Sequence, residues 1–561
     1  MTQIVEIDGG DWLDEHRTCD RTALRVIKVK AEPTGDLAAD LAERSVTIGA
    51  MMDDLCQQPH PLAITGSAWS QSDLFTSPAI RIDTGLDRAV WEVPPNAFAP
   101  GFAGDPTLFV FATGGAKLSE IMEFLDERGL SFRTAGSHKG QSIAGAIATG
   151  THGSLLEETG LERHVRGVLF VNGTGNGTGR AHWVEDPDCP ALSPEFVSRF
   201  ADATHHDFFR DAVVHLGGMG YCAGVLIEAI PRFGLSWAKQ VSRLPDGWWD
   251  AIQSADFVSA AAELTGGRPP AFYELTFDPN TGLDEEVMQT VYWRDDLPAL
   301  NAAPQDNAGA QSEEPEARDT LDILADQLDA FSAAMVSART KKAEETDEKD
   351  DHADPLGFLN LGFLGLGGPI RLLNIAEMIF DDFRDSVARQ PASTSAKSLV
   401  ALTGDWKPRS VFGIRIDTFN AAICVPVSQL RQTLEIGAQI APRFRKHFVY
   451  TVRFARKSSA SMSFLRFDTC AIINIDGLTR SGIAGWISHS DEASRAFTSA
   501  LDDAGLDYSM HWGKDIPSSR AKIATDFKGS AERWKAARKT LVPEALRERL
   551  NSPMLRHWGL D

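Results

Sequence analysis

The 561-residue sequence is short of positive charge: 55 Lys and Arg stand against 78 Asp and Glu, for a formal net charge of -23. Nucleic-acid affinity rests on basic side chains that neutralise phosphates, so this balance argues against a nucleic-acid partner and reads as solubility. Cysteine is scarce as well. The six present (Cys19, Cys56, Cys189, Cys222, Cys424, Cys470) lack both a pairing rhythm and the close spacing of zinc or redox sites, so free thiols in a reducing compartment are expected. No long apolar run goes uninterrupted. The most hydrophobic, "FLNLGFLGLGGPIRLLNIAEMIF", is broken by Gly367, Gly368, Pro369 and Arg371, a combination rare in membrane-spanning helices. The opening "MTQIVEIDGGDWLDEHR" has acids where a signal peptide needs basic and then apolar residues. A cytoplasmic protein without a membrane partner is the expectation. There is no G-x-S-x-G nucleophile motif, and "THHD", Thr204 to Asp207, reads as a solvated turn or helix start in preference to a metal site.

What is there describes a globular chain of 43% hydrophobic and 24% charged residues, too long for one core. Up to about residue 235, short apolar strand-like runs ("PLAIT", "LFVFAT", "VRGVLFV", "GVLIEAI") alternate with helical patterns such as "KLSEIMEFLDERG", closed by a C-terminal Gly. From 236 to 300 the pattern is less regular. An acidic arm follows at about 302–356, with an amphipathic helix (Leu321, Leu324, Leu328, Phe331, Met335) between polar flanks. Strand-like runs return between about 398 and 485: "SVFGIRIDTF", "NAAICVPVS", "FVYTVRFA" and "TCAIINID", with a helix, "SQLRQTLEIGAQIAPRFRK", between the second and third. An antiparallel sheet with helices on one side accounts for them. After about 486 come helical stretches, "MHWGKDIPSS" and a basic helix, "SAERWKAARKTL".

The densest run of small residues is "GSHKGQSIAGAIATGTHGS", Gly136 to Ser154. Glycine lets another group approach the main chain where a Cβ would collide, and the interspersed hydroxyls can donate to phosphate or carbonyl oxygens. A second such cluster, "AITGSAWSQSD", Ala63 to Asp73, directly follows a strand-like run, and two loops of this kind could hold the two ends of one diphosphate. Two glycine patterns mislead. "GMGYCAG", Gly218 to Gly224, matches a dinucleotide fingerprint but has its helix before it and its strand after it, the reverse of what that motif requires. "GTGNGTG", Gly173 to Gly179, reads as a hairpin turn.

Taken in order, "PLAITGSAWSQSD", "FATGGAKLSEIMEFLDERGLSFRTAG", "QSIAGAIATGTHGS", "VRGVLFVNGTG" and "LGGMGYCAGVLIEAIP" resemble the PCMH-type FAD-binding domain of the vanillyl-alcohol oxidase family over roughly residues 55–232. The likeness reappears at "HWGK" and is nearest the alditol oxidase and aldonolactone oxidase branch. It implies an α+β protein: an FAD-binding domain at 1–235, an antiparallel-sheet substrate cap with helices at 236–505 carrying the acidic helical insertion, and a segment at 506–561 returning to the flavin. It further implies that Thr65, Gly66, Ser67, Ala68, Trp69 and Ser70 form the diphosphate loop. Ser142, Gly145, Ala146, Thr149, Gly150, His152 and Ser154 would line the flavin and ribityl chain, and Val225 would lie near the adenine. Many members bond the flavin to a His in the first loop; Trp69 stands there, which points to noncovalent FAD, with His138 or His152 as alternative attachment points.

For the chemistry, the resemblance puts Lys514 of "HWGK" in the active site, where a fixed cation stabilises charge developing on the flavin. It also matches "FVYTVRFARK" to the strand that carries a Glu-x-Arg pair over the flavin. Residues two apart on a strand share a face, so Thr451 and Arg453 point together. Arg453 matches the family's Arg, whereas Thr451 replaces the Glu and cannot act as a carboxylate base. Either His511, Tyr450 or Asp476 serves as base, or the substrate differs from polyols and lactones. The implied reaction is dehydrogenation of a small-molecule substrate at a C–OH or C–N bond, with dioxygen as re-oxidant. A dehydrogenase using another acceptor is the alternative within the class, and a flavin-binding scaffold without turnover is the alternative outside it.

Overall fold

The computed structural model describes residues 1–13, 20–75, 79–297, 384, 396–403, 410–411, 414–415, 418–444, 448–478, 490–514 and 518–561. The acidic arm at 302–356 and the apolar run at 358–380 lie outside them.

Three sheets organise these residues. The first has the strand order Thr2–Leu13, Asp20–Ala31, Ile80–Leu86, Leu62–Thr65, antiparallel at the hairpin and parallel in the other two pairs. The second has six strands in the order Ala203–His205, Gly179–Glu185, Val165–Gly173, Tyr221–Glu228, Phe109–Ala112, Val90–Glu92. Its central strand Val165–Gly173 is buried throughout, which is why "VRGVLFV" reads as a continuous apolar run and not as an alternation. The helix Leu37–Gln57 packs on it and offers Asp53 to the amides of Thr174, Gly175 and Gly177, which pins the hairpin that "GTGNGTG" foretold. The "GMGYCAG" stretch enters the strand Tyr221–Glu228 and no helix follows, as expected. Thr204 to Asp207 departs from expectation: its first half is an edge strand, parallel to Gly179–Glu185, and His205 lies against His182 at 3.0 Å.

The third sheet has eight strands in the order Lys397–Ser398, Gly234–Arg243, Glu286–Asp295, Phe272–Phe277, Phe448–Arg456, Thr469–Leu478, Thr418–Pro426, Ser509–Met510. The stretch 236–300, irregular by sequence, supplies three of these. Alternation explains the sheet's two faces. Tyr273, Leu275, Tyr450, Val452, Ile473 and Ile475 pack with the helices Trp248–Gln253, Leu430–Ile440 and Ser490–Asp503 into one apolar core. The intervening residues, Glu274, Thr451, Arg453, Asn474 and Asp476, belong to the other face, which turns toward the glycine-rich loops.

The C-terminal residues do not join that sheet's core. Ile523, Trp534, Leu541 and Trp558 pack into the same core as the first two sheets. Between them and the eight-stranded sheet runs the segment His511 to Lys514. Among the described residues no helix is long and apolar enough to cross a membrane, no His, Cys, Asp and Glu cluster could hold a metal, and the five cysteines are free thiols.

Candidate active site

The two small-residue loops interlock. A Cβ on Gly66 would stand 1.9 Å from Ser142 Oγ, and one on Gly140 would stand 2.4 Å from the Trp69 ring, so glycine at these positions lets one loop lie against the other. Ala68, at φ 54°, takes the left-handed turn that delivers Trp69 to this contact. The first loop is also tied to the C-terminal segment: Gln71 N and Ser70 Oγ donate to Gly513 O at 2.9 and 3.4 Å, and Ser72 Oγ donates to Trp512 O at 2.8 Å. His511 N in turn donates to Ala422 O of the large sheet at 3.0 Å, so one short segment joins both loops to the sheet.

Together these parts wall a cavity of about 1790 Å³, counting its solvent-open mouth. Gly66, Ser67, Ala68, Trp69 and Ser70 line it from the first loop, and His138, Gln141, Ser142, Gly145, Ala146, Thr149 and His152 from the second. The sheet contributes Asn420, Arg453, Asn474 and Asp476, and the C-terminal segment His511 and Lys514.

Six expected positions stand apart from this wall. Thr65 is buried with its hydroxyl toward Ile82 O, Ser154 is buried, and Gly150 takes a left-handed turn with φ 67°. Val225 is a fully buried strand residue paired with Ala112 and Val168, so its side chain belongs to the core. Thr451 does lie on the same sheet face as Arg453, but it is fully buried between Thr276 and Asn474. Tyr450, a base candidate by sequence, is on the opposite face: Gly437 and Phe497 pack on its ring, and burial raises its phenol well above the ordinary range.

A residue that sequence reasoning missed stands beside Arg453. Glu274, directly opposite it on the neighbouring strand, accepts from Arg453 Nε at 2.5 Å, with both side chains largely buried. Asp476 accepts from Asn420 Nδ2 at 2.5 Å. Asn420 Oδ1 and Asn474 Oδ1 are both buried without a hydrogen-bond partner. Burial also keeps the histidines neutral: His152 is held down to about 4, with Arg453 and Lys514 adding to the effect, and His511 lies well below its ordinary value.

Known proteins bear on this geometry. Residues 43–178 match the FAD binding domain family. The chain carries an FAD-binding domain. It is 31% identical over 156 residues to a putative D-arabinono-1,4-lactone oxidase of Neurospora crassa, 26% over 206 residues to the D-arabinono-1,4-lactone oxidase of Eremothecium gossypii, and 28% over 171 residues to an L-gulono-1,4-lactone dehydrogenase of Mycobacterium tuberculosis. These segments are 27, 36 and 30% of this chain, which spans 24, 34 and 32% of the length of the three relatives. The fold as a whole is similar to that of a solvent-stable cholesterol oxidase, with a TM-score of 0.63 at 12% identity over 99% of this chain and 98% of the other. It is equally similar to the cholesterol oxidase from B. sterolicum, with a TM-score of 0.62 at 12% identity over 99% and 97%. The antiparallel-sheet cap expected beside the FAD-binding domain is therefore present.

The loop residues fit FAD as cofactor. A Cβ added to Gly145 would meet only Ser142 Oγ, at 3.0 Å, so the main chain there is open to a close approach. Gln141 Oε1 is buried in the same loop without a hydrogen-bond partner, and the ribityl hydroxyls and ring N–H of the flavin supply donors of the kind it lacks.

Proposed function

We propose that the chain is an FAD-linked oxidoreductase that dehydrogenates CH–OH donors, with dioxygen as re-oxidant and hydrogen peroxide as product. The observation that carries this reading is the cavity itself, where FAD-binding loops face a sheet surface bearing Arg453, Asn474 and Asp476, closed by His511 and Lys514. When bound, FAD supplies an acceptor for a hydride from the donor carbon. Lys514 and Arg453 bring two cations to the cavity wall, where they would stabilise negative charge developing on a bound flavin without rearrangement at the moment of reaction.

The substrate we infer carries several hydroxyls. Asn420 Oδ1 and Asn474 Oδ1 are buried acceptors on the sheet side, and leaving them without donors costs about 1–3 kcal/mol each. A polyhydroxylated donor meets both, whereas a single-hydroxyl apolar alcohol cannot serve both and a reacting centre as well. The aldonolactone activity named for the sequence relatives favours the same class.

Noncovalent attachment is the reading that Trp69 supports, because it has no imidazole nitrogen to form the bond; His138 and His152, the alternative attachment points, also line the cavity. Acid precipitation of the holoprotein is expected to leave the flavin in the supernatant, and colour retained in the pellet would contradict this. The function is tested by anaerobic screening of alcohols against the flavin absorbance. Bleaching followed by peroxide formation in air is the expected result. Recovery only with an artificial acceptor would assign a dehydrogenase, as the name of the mycobacterial relative suggests, and no bleaching by any donor would leave a binding role.

A further inference from the structure

Two imidazoles in the cavity wall are fixed in opposite tautomers. His152 Nδ1 lies 2.8 Å from Gly153 O. A carbonyl oxygen only accepts, so Nδ1 carries the hydrogen and the lone pair sits on Nε2. At His511 the arrangement is reversed. Gly513 N–H donates to Nδ1 at 3.0 Å, so the hydrogen is on Nε2. The ring centroids are 5.6 Å apart, and the Phe464 ring contacts both, at 5.1 Å from His152 and 4.8 Å from His511. Two rings that line the cavity, with centroids 5.6 Å apart, thus carry one acceptor nitrogen and one donor nitrogen between them. An alcohol hydroxyl has the complementary pair: it donates one hydrogen bond and accepts another.

We propose that His152 is the catalytic residue that takes the hydroxyl proton of the substrate, with His511 donating to the same oxygen. This rests on the dehydrogenation proposed above. In the step, the substrate O–H bond breaks and its proton passes to His152 Nε2. The electron pair of that bond becomes the second C–O bond, and hydrogen leaves the carbon with its own pair to the two-electron acceptor, FAD. The imidazolium later returns its proton to solvent.

Asp476, which lines the wall, is engaged by Asn420 Nδ2 and is compared directly in the test below; four other candidates are placed less well. Thr451 does not ionise and is outside the wall, Tyr450 is on the far face of the sheet, and Glu274 is engaged by Arg453. His511 holds a hydrogen where a base needs a lone pair. Burial, with Arg453 and Lys514 nearby, keeps His152 unprotonated at neutral pH, so the accepting form is the resting form. The same surroundings oppose the imidazolium, and the negative charge that reaches the acceptor in the same step offsets that opposition.

The test compares the flavin-loaded wild type with His152→Gln, His152→Ala, His511→Gln and Asp476→Asn in anaerobic flavin reduction by a CH–OH donor from the screen. Removing a general base costs about 10²- to 10⁴-fold in the reduction rate at saturating donor, and this is expected for both His152 variants at unchanged flavin content. Added imidazole is expected to restore part of the rate in His152→Ala, and Asp476→Asn to slow reduction at least tenfold less than His152→Gln does. Independently of turnover, ¹⁵N histidine spectra of the flavin-free and flavin-loaded chain are expected to show His152 with its hydrogen on Nδ1 and His511 with its hydrogen on Nε2. A His152→Gln protein reduced within about threefold of the wild-type rate, or a His152 hydrogen found on Nε2, overturns the assignment while the dehydrogenation stands. A wild-type flavin that no CH–OH donor reduces overturns both.

Discussion

Arg453 and Glu274 are cross-strand neighbours whose side chains meet at 2.5 Å, 179 residues apart in the chain. The resemblance places the carboxylate partner of Arg453 two residues before it, at Thr451. The fold instead supplies a carboxylate from the next strand. A guanidinium held this way keeps one orientation toward the cavity and has part of its charge compensated. Glu274→Gln keeps the shape and removes the charge, so Arg453 is expected to relax and flavin reduction to slow by roughly tenfold or more. Because the two act as a unit, Glu274→Gln combined with Arg453→Lys is expected to be less harmful than the two single effects summed, by more than about 0.5 kcal/mol. Strict additivity of the reduction rates would show that the pair is not coupled.

Lys514 reaches the cavity because Gly513 O is held by the first loop and His511 N by the sheet, so the position of the cation depends on both halves of the site. Lys514→Met removes one electrostatic contact and little volume. A loss of about a hundredfold in the flavin reduction rate is expected at unchanged flavin content. Reduction at the wild-type rate would remove Lys514 from the reacting centre.

Where the sequence spoke through local pattern, it spoke clearly. "VRGVLFV", "FVYTVRFA" and "TCAIINID" are strands because apolar or alternating runs between turn residues have few other stable forms, and the two glycine loops sit where their small side chains suggested. Glu274 was not legible for the opposite reason. Its meaning depends on which strand lies beside Phe448–Arg456, and pairing partners far apart in sequence leave no local mark. One signal was present: "FYELTF" alternates, with Tyr273, Leu275 and Phe277 toward the helices and Glu274 and Thr276 between them. Val225 shows the limit of reading position by position, since a motif marks the place in the loop order but not whether a side chain faces cavity or core.

Burial of neutral histidines makes stability depend on pH. His164 is held down to about 3 and His215 to about 4, in both cases by burial. Their unfolded value is about 6.5, so below it the unfolded chain binds protons that the folded chain refuses. The stability these residues contribute is complete above 6.5 and is lost as the pH falls toward 4. At pH 5 each costs about 2 kcal/mol. Glu162 and Glu185, raised by burial, act in the opposite sense and soften the decline. Replacing His215 by Asn removes one such group, so the drop in unfolding free energy between pH 7 and pH 5 is expected to shrink by about 2 kcal/mol in denaturant titrations. An unchanged drop would mean that His215 is protonated in the folded protein.

The contact between Gly140 and Trp69 separates two uses of glycine in the cofactor loops. If the glycines served only to bare the main chain to FAD, Gly140→Ala would weaken cofactor binding and leave the flavin-free protein untouched. A Cβ 2.4 Å from the indole cannot be accommodated without moving the ring, so overpacking is expected to cost about 1–3 kcal/mol even without flavin. Trp69→Phe shortens the ring on that side and is expected to restore most of the loss in the double variant, measured as the melting temperature of the flavin-free chain. A Gly140→Ala protein that melts normally without flavin but binds it weakly would assign that glycine to the cofactor and not to the joint between the loops.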